Sequence, residues 1–324
     1  MDFLSMVFPI SGVETYVFIP PLVAFVISFF ASMGGLSGAF LLLPFQMSVL
    51  HFTTPSVSAT NFLFNIVAIP GGVLRFIKEG RMAWPLTWVI VIGTVPGVFI
   101  GYVLRIQYVP DIRSFKFFVG CVLLYIGIRL MSEVIAKFRN KHSKTDELEK
   151  KFGQRTSHLR KSQHSRVAAG LPSEAVIKTI SFSFQRVTYE FWGEIFTFRT
   201  VPMFLLSFFV GIIGGIYGIG GGAIIAPFCV TVFRLPVYTV AGAALTGTFL
   251  TSIAGIIFYT VLPLKTDMQT SPDWLLGILF GFGGFMGIYL GARLQKFMPQ
   301  RAIKLILGLV VLYVSLKYIL QYFV

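Results

Sequence analysis

Gly34-Gly35-Leu36-Ser37-Gly38-Ala39-Phe40-Leu41-Leu42-Leu43-Pro44 lies inside a run, Tyr16 to Phe52, that contains no Asp, Glu, Lys or Arg. A helix crossing roughly 30 Å of hydrocarbon needs about 20 apolar residues, so this run is too apolar for water and too long for one straight span. It must break, and Gly34, Gly35 and Gly38 mark where. Gly218-Ile219-Gly220-Gly221-Gly222-Ala223-Ile224-Ile225-Ala226-Pro227 places a second glycine cluster, again with proline behind it, in another charge-free run.

Outward from these two segments, the charge-free stretches Thr53 to Leu74, Met82 to Leu104, Val201 to Phe233, Leu235 to Leu264 and Trp274 to Ala292 each read as a spanning helix. Arg113 to Ser132 and Arg301 to Phe323 have shorter apolar centres, bounded by Lys116 and Arg129 and by Lys304 and Lys317. Long basic side chains snorkel to the interfaces, so both also qualify. The expected fold is an all-α polytopic membrane protein of about eight transmembrane helices in two sequence-related halves, with the first helix of each half broken at a Gly-rich segment. Residues 1–132 make the first transmembrane repeat, 133–199 a basic cytoplasmic loop and 200–324 the second repeat.

Composition agrees. Of 324 residues 55% are apolar and 12% charged, against roughly 25% charged in a soluble domain. The excess of 27 Lys plus Arg over 13 Asp plus Glu is not a nucleic-acid surface, because many of the basic residues crowd between Lys137 and Arg166. Such a block sets topology and meets anionic lipid head groups of the bilayer. Cys121 and Cys229 sit far apart in apolar runs, with neither metal nor redox spacing, and no metal or cofactor is expected. No basic cluster precedes the first apolar run, so no cleaved signal peptide is expected.

In the central segment, Lys141-His142-Ser143-Lys144-Thr145-Asp146-Glu147 reads as a solvated loop. Ile180-Ser181-Phe182-Ser183-Phe184 and Ile195-Phe196-Thr197-Phe198 alternate with period two and predict a small β-hairpin turning near Trp192-Gly193. Arg129, Lys137, Arg139, Lys141 and Arg199 flank this loop and assign it to the cytoplasm, across a plasma (inner) membrane crossed several times. Eight spans then bring both termini to the same side. Arg75, Lys78 and Arg81 agree with that orientation, whereas Arg113, Lys116, Arg301 and Lys304 oppose it.

The chain repeats itself after about half its length. At an offset of 183, Gly35, Gly38, Pro44, Phe45, Val49, Val57 and Gly72 recur as Gly218, Gly221, Pro227, Phe228, Val232, Val240 and Gly255; at 188, Arg113, Gly120 and Tyr125 recur as Arg301, Gly308 and Tyr313. Secondary transporters are built from such repeats, with broken helices pointing at a site near the midplane. Parallel and inverted arrangements both remain open.

At these residues the chain resembles the sulfite exporter family, TauE/SafE, whose members include exporters of sulfite and of sulfoacetate. The resemblance rests on Gly38-Ala39-Phe40-Leu41-Leu42-Leu43-Pro44 and Gly222-Ala223-Ile224-Ile225-Ala226-Pro227, and on the small-residue helices that follow, Ser58-Ala59-Thr60-Asn61 and Ala241-Gly242-Ala243-Ala244. It covers nearly the whole chain outside the central loop, which is longer than the family's usual one, and Ser37 stands where the second break has Gly220. The resemblance implies export of a small sulfur-containing anion, sulfite, sulfoacetate or a related organosulfonate.

A buried anion needs compensation. Half-helices opening at the two breaks would offer free backbone N–H groups and the positive ends of two helix dipoles. The candidate substrate-binding residues are Gly35, Ser37, Gly38, Gly220, Gly221 and Gly222, with Asn61 and Asn65, and Thr246 and Thr248, one helix later. Thr60 and Thr251 are further hydroxyls, and each threonine can instead bond its own helix backbone. Asn61 and Asn65, one turn apart on one face, are costly to present to lipid. His51 and Arg234, equivalent in the repeat, could form an anion-attracting mouth or simply anchor helix ends. No Asp or Glu lies mid-span for proton coupling, so the membrane potential is the expected driving force of export.

A passive anion channel and an uptake permease for another oxyanion or carboxylate remain alternatives. Gly35-Leu36-Ser37-Gly38 also matches the Gly-x-Ser-Gly pattern of intramembrane serine proteases. That chemistry needs a base, and His51 stands 14 residues on, about 21 Å along a helix. The expectation is a transporter and not an enzyme; oligomeric state is not legible in the sequence.

Overall fold

Lipid-soluble runs interrupted by Gly and Pro fold into eleven helices in the computed structural model, which describes residues 5–33, 37–78, 80, 82–139, 176–191, 193–262, 264, 268–294 and 300–323. Among these residues the helices are α1 (Ile19–Met33), α2 (Ala39–Ser48), α3 (Ser56–Ala68), α4 (Pro70–Lys78), α5 (Trp84–Gln107), α6 (Ile112–Arg139), α7 (Thr200–Tyr217), α8 (Gly222–Thr231), α9 (Val237–Val261), α10 (Trp274–Leu294) and α11 (Gln300–Phe323). Among the described residues seven segments are long and apolar enough to cross a membrane: Ser56–Lys78, Trp84–Gln107, Ile112–Ser132, Thr200–Tyr217, Thr239–Val261, Trp274–Gly291 and Ala302–Phe323. Ile19–Ser32 and Ala39–Ser48 are shorter apolar helices. The chain is a multi-pass membrane protein, and its exposed Phe282, Ile306 and Leu320 are lipid-facing side chains, not defects.

Glycine contacts fix which way each helix runs. Gly93, Gly97 and Gly101 of α5 meet Phe204, Phe208 and Ile212 of α7 in the same order, so α5 and α7 are parallel. Gly283, Gly287 and Gly291 of α10 meet Pro21, Phe25 and Phe29, so α1 and α10 are parallel as well. Leu63 and Val67 of α3 pack on Gly277 and Gly281, again parallel. Gly120 of α6 lies on Tyr318 whereas Gly308 lies on Met131, so α6 and α11 run antiparallel. These two helices are the pair matched by the offset of 188. A dyad along the membrane normal would have left them parallel.

The same contacts place α1 and α3 in one direction, so α2 must carry the chain back between them. Ser56 at the start of α3 donates its Oγ to Ser271 O (2.5 Å), and Ser11 donates to Asp273 Oδ2 (2.8 Å), which puts the N-terminal segment at the start of α10. Arg113 at the start of α6 reaches Tyr322 O near the end of α11. All these groups share one end of the bundle, hereafter the terminal face. At the other end Ile177 N donates to Gly80 O (3.0 Å) and Tyr189 shares a 2.8 Å hydrogen bond with Thr239. The termini and residues 176–199 therefore occupy opposite faces, which overturns the expectation of a common side. An even count of eight crossings missed the return made by α2.

The central β-structure also differs from the expected hairpin. Lys178–Phe182 (β3), Arg186–Phe191 (β4) and Glu194–Arg199 (β5) make a three-stranded antiparallel sheet in the order β3-β4-β5. The anticipated turn joins β4 to β5 at Gly193, with φ +73°, while Trp192 lies outside the described residues. β4 intervenes between the two segments expected to pair: its charged Arg186 and Glu190 disguised a strand that buries Val187, Tyr189 and Phe191. Lys141 to Glu147 lie outside the described residues. Ser5–Val7 (β1) and Glu14–Tyr16 (β2) form a further short hairpin near the N-terminus.

In lipid, helices associate through close contact, and small residues permit it. A Cβ on Gly283 would meet the Pro21 carbonyl group, with its carbon at 2.6 Å. Gly283→Val is expected to cost about 1–3 kcal/mol by overpacking, read as a lower thermal midpoint in detergent; an unchanged midpoint would remove the close α1–α10 contact.

Candidate functional site

The second interruption is built from glycine conformations that other residues resist. α7 ends in Gly218, left-handed at φ +81°, whose N–H donates to Gly214 O, and Gly220 follows at φ +63°. Gly221 then caps α8 with no side-chain partner. At the first interruption α1 ends at Met33 and Gly38 caps α2, also without a side-chain cap. Gly38 packs against Ser28 and Ser37 is buried; Gly35 lies outside the described residues.

Proline does more than follow the glycines. Pro44 has no N–H, so the carbonyl of Phe40 one turn back loses its helical donor; Tyr217 Oη supplies one from the end of α7 at 2.7 Å. Pro44 O accepts in turn from Tyr318 Oη at 3.1 Å.

Asn61 joins the two interruptions. Its Nδ2 donates to Ala39 O and to Gly218 O, each at 3.1 Å, while Oδ1 faces Gln46 Nε2 at 3.5 Å. Asn65, one turn on, donates to Ile219 O at 3.2 Å. α2 and α8 thus begin beside one another and leave toward opposite faces. Thr248 accepts from Gly222 N at 2.9 Å and donates to Ala244 O at 3.0 Å, serving the second interruption and its own helix together. Thr246 instead points its hydroxyl at Met82 Sδ (3.5 Å), away from the glycines. Thr60 and Thr251 bond their own helices at Ser56 O and Gly247 O.

His51 and Arg234 share an uncommon backbone, φ +54° and +53°, where a non-glycine residue is held against its preference. Their positions do not make one mouth. His51 follows α2 at the terminal face, next to the strand of chain that ends at Ser56, whereas Arg234 precedes α9 at the face of the sheet. The two residues, 183 apart in sequence, thus stand at opposite ends. Ser37 Oγ meets no hydrogen-bond partner, and α2 separates it from His51.

Sequence reasoning missed Gln46, Tyr217 and Arg105. Gln46, the amide two residues beyond Pro44 in a charge-free run, was a signal open to reading; Tyr217 and Arg105, at helix ends, carried none. Several buried polar atoms around these helices have no hydrogen-bond partner: Ser28 Oγ, Ser37 Oγ, Gln46 Oε1, Asn65 Oδ1 and Ser252 Oγ. Buried polar groups left so are costly, and they give the region spare hydrogen-bonding capacity. Among the described residues no group of His, Cys, Asp and Glu could hold a metal ion.

The family model described as Sulfite exporter TauE/SafE matches residues 21–318. Over 298 residues, 90% of this chain and 92% of the relative, the sequence is 24% identical to the probable membrane transporter protein YunE of Bacillus subtilis. No solved structure matches the chain significantly.

Proposed function

From the premise that this chain belongs to the sulfite exporter TauE/SafE family, whose transport function it shares, we propose that it exports a small sulfur-containing anion, sulfite, sulfoacetate or a related organosulfonate. The observation that carries this reading is the single Asn61 amide shared by Ala39 O and Gly218 O. It ties together the starts of two half-helices whose N-terminal N–H groups and dipoles favour negative charge.

In this mechanism Gly38 and Gly222 let the anion approach backbone closely, with Gly220 and Gly221 shaping the turn between α7 and α8. Ser37 and Asn65 supply side-chain hydrogen bonds, Thr248, whose one hydroxyl proton goes to Ala244 O, braces the break at Gly222, and Thr246 stands outside the first circle of contacts. The anion enters from the cytoplasmic face, assigned to residues 176–199 by the basic residues around the central segment. The basic segment itself meets anionic lipid heads. His51 and Arg234 each raise local anion concentration at their own face.

With the interior negative by 100 mV, each elementary negative charge leaving gains about 2.3 kcal/mol. Export of labelled sulfite from proteoliposomes is therefore expected to saturate and to quicken when an interior-negative potential is imposed. Efflux indifferent to the imposed potential would remove potential-driven export, and non-saturable flux without counterflow would mark a channel.

A further inference from the structure

Arg105, in the last turn of α5, is fully buried. Its guanidinium lies over the Phe115 ring, 3.7 Å from the centroid, and Nη1 donates to Val109 O. Nε and Nη2, both buried, meet no hydrogen-bond partner. A guanidinium is always charged and rarely buried without an acceptor, and here it has spent one N–H group on a helix-end carbonyl and left two of its three nitrogens unused.

The two unused nitrogens are not an arbitrary pair. Nε–H and Nη2–H form the side-on edge of the guanidinium, the fork that receives two oxygens of a carboxylate or oxyanion in parallel. Arg113 uses this same edge, with both Nε and Nη2 on Tyr322 O at 3.1 and 2.8 Å. In Arg105 Phe115 covers the face and Val109 occupies Nη1, so the fork is held in place and empty of protein acceptors.

Its position connects it to the second helix break. Tyr259 donates to Gly215 O at 3.0 Å, three residues before the left-handed Gly218. Tyr102, one turn before Arg105, stacks edge-on against Tyr259 with centroids 4.8 Å apart.

We propose that the side-on edge of Arg105 is a binding station for the transported oxyanion, between the second helix break and the terminal face. This rests on the export reading above and adds a residue and a site to it. The guanidinium supplies the full positive charge that backbone N–H groups lack, and it takes two oxygens of one sulfur centre at once. Anions that present two coplanar oxygens bind there; chloride, with no such pair, does not.

The test titrates sodium sulfite, with sodium chloride as control, against purified full-length protein in nanodiscs, following the thermal midpoint and proteoliposome efflux. Arg105→Lys keeps the charge and loses the fork, so its half-saturating sulfite concentration is expected to rise about tenfold while maximal efflux stays within about threefold. Arg105→Gln is expected to raise it by about 100-fold. A residue that merely supports the fold would lower maximal efflux or folded yield and leave half-saturation unchanged, and that result overturns the proposal. If both variants fail to fold, the wild-type protein labelled with 15N at arginine Nε decides: sulfite, and not chloride, must shift one buried Nε–H resonance, and no shift overturns the proposal. Should sulfite neither stabilise nor leave through the wild-type protein, the export reading itself fails, an outcome distinct from normal wild-type export with indifferent Arg105 variants.

Discussion

Asn61→Leu is expected to lower export at least about 100-fold and to cut stability by about 1–3 kcal/mol. The side chain is nearly isosteric, so packing changes little, but Gly218 O loses its donor, while Ala39 O, which opens α2, gives up the second bond that it accepts. A buried carbonyl left unsatisfied costs about 1–3 kcal/mol, and that gives the range. The loss of transport has a different origin: without the shared amide nothing bridges the starts of α2 and α8 at this point, and a site made from both loses its alignment. Asn61→Asp sharpens the test. As a carboxylate it faces two carbonyl oxygens and brings negative charge to a proposed anion site; once protonated it donates to one of them. Export by Asn61→Asp is therefore expected to recover in part as the pH falls, in the sense opposite to a loss of protonatable function. Asn65→Leu, which forfeits one bond to Ile219 O, should fall between wild type and Asn61→Leu. A thermal midpoint for Asn61→Leu equal to that of wild type would sever the two breaks.

Much of this arrangement could be read from residue types. Because helix length obeys local rules, charge-free length located six of the seven long spans to within four residues, whereas Val201 to Phe233 ran past Thr200–Tyr217 and took in α8. Helix direction is not local. Whether the chain turns back after Gly38 depends on packing against α10, some 240 residues away in sequence, so parallel and inverted halves looked alike. The same blindness placed His51 and Arg234 at one mouth. β4 was lost for a subtler reason: Arg186, Thr188 and Glu190 face out while Val187, Tyr189 and Phe191 face in, a strand pattern whose outward positions are mostly charged. Arg105 was taken as the end of an apolar run, since burial of a terminal arginine is decided by Phe115 and Val109 on the next turn of chain.

The glycines of the second break should not be equally replaceable, and their order is a strong test of the site. At Gly218 the left-handed backbone, φ +81°, costs alanine about 1–2 kcal/mol, and a Cβ would also meet the Ser58 carbonyl oxygen, with Ser58 Cα at 2.8 Å. That neighbour is backbone in the first turn of α3 and cannot step aside, so Gly218→Ala must displace the carbonyl that Asn61 holds. Near-complete loss of export is expected. Gly220 shares the strained backbone at φ +63°, but its Cβ would press first on Thr248 Cγ2 at 2.7 Å, a side chain, although the Thr248 carbonyl oxygen at 3.2 Å limits relief. Gly220→Ala should retain a measurable fraction of export. Gly221 has ordinary helical backbone, φ −73°, and its Cβ would touch Thr94 Cγ2 at 3.0 Å and Val210 Cγ1 at 3.2 Å, both methyl groups that can shift by a few tenths of an ångström. Gly221→Ala is expected to export within about threefold of wild type, since a small methyl overlap costs little when side chains can relax. The order Gly218→Ala, Gly220→Ala, Gly221→Ala, from worst to mildest in proteoliposome efflux, follows from backbone strain and neighbour rigidity together. If Gly221→Ala proved the most damaging instead, direct contact between the substrate and the Gly221 backbone would have to outweigh the geometry of the turn.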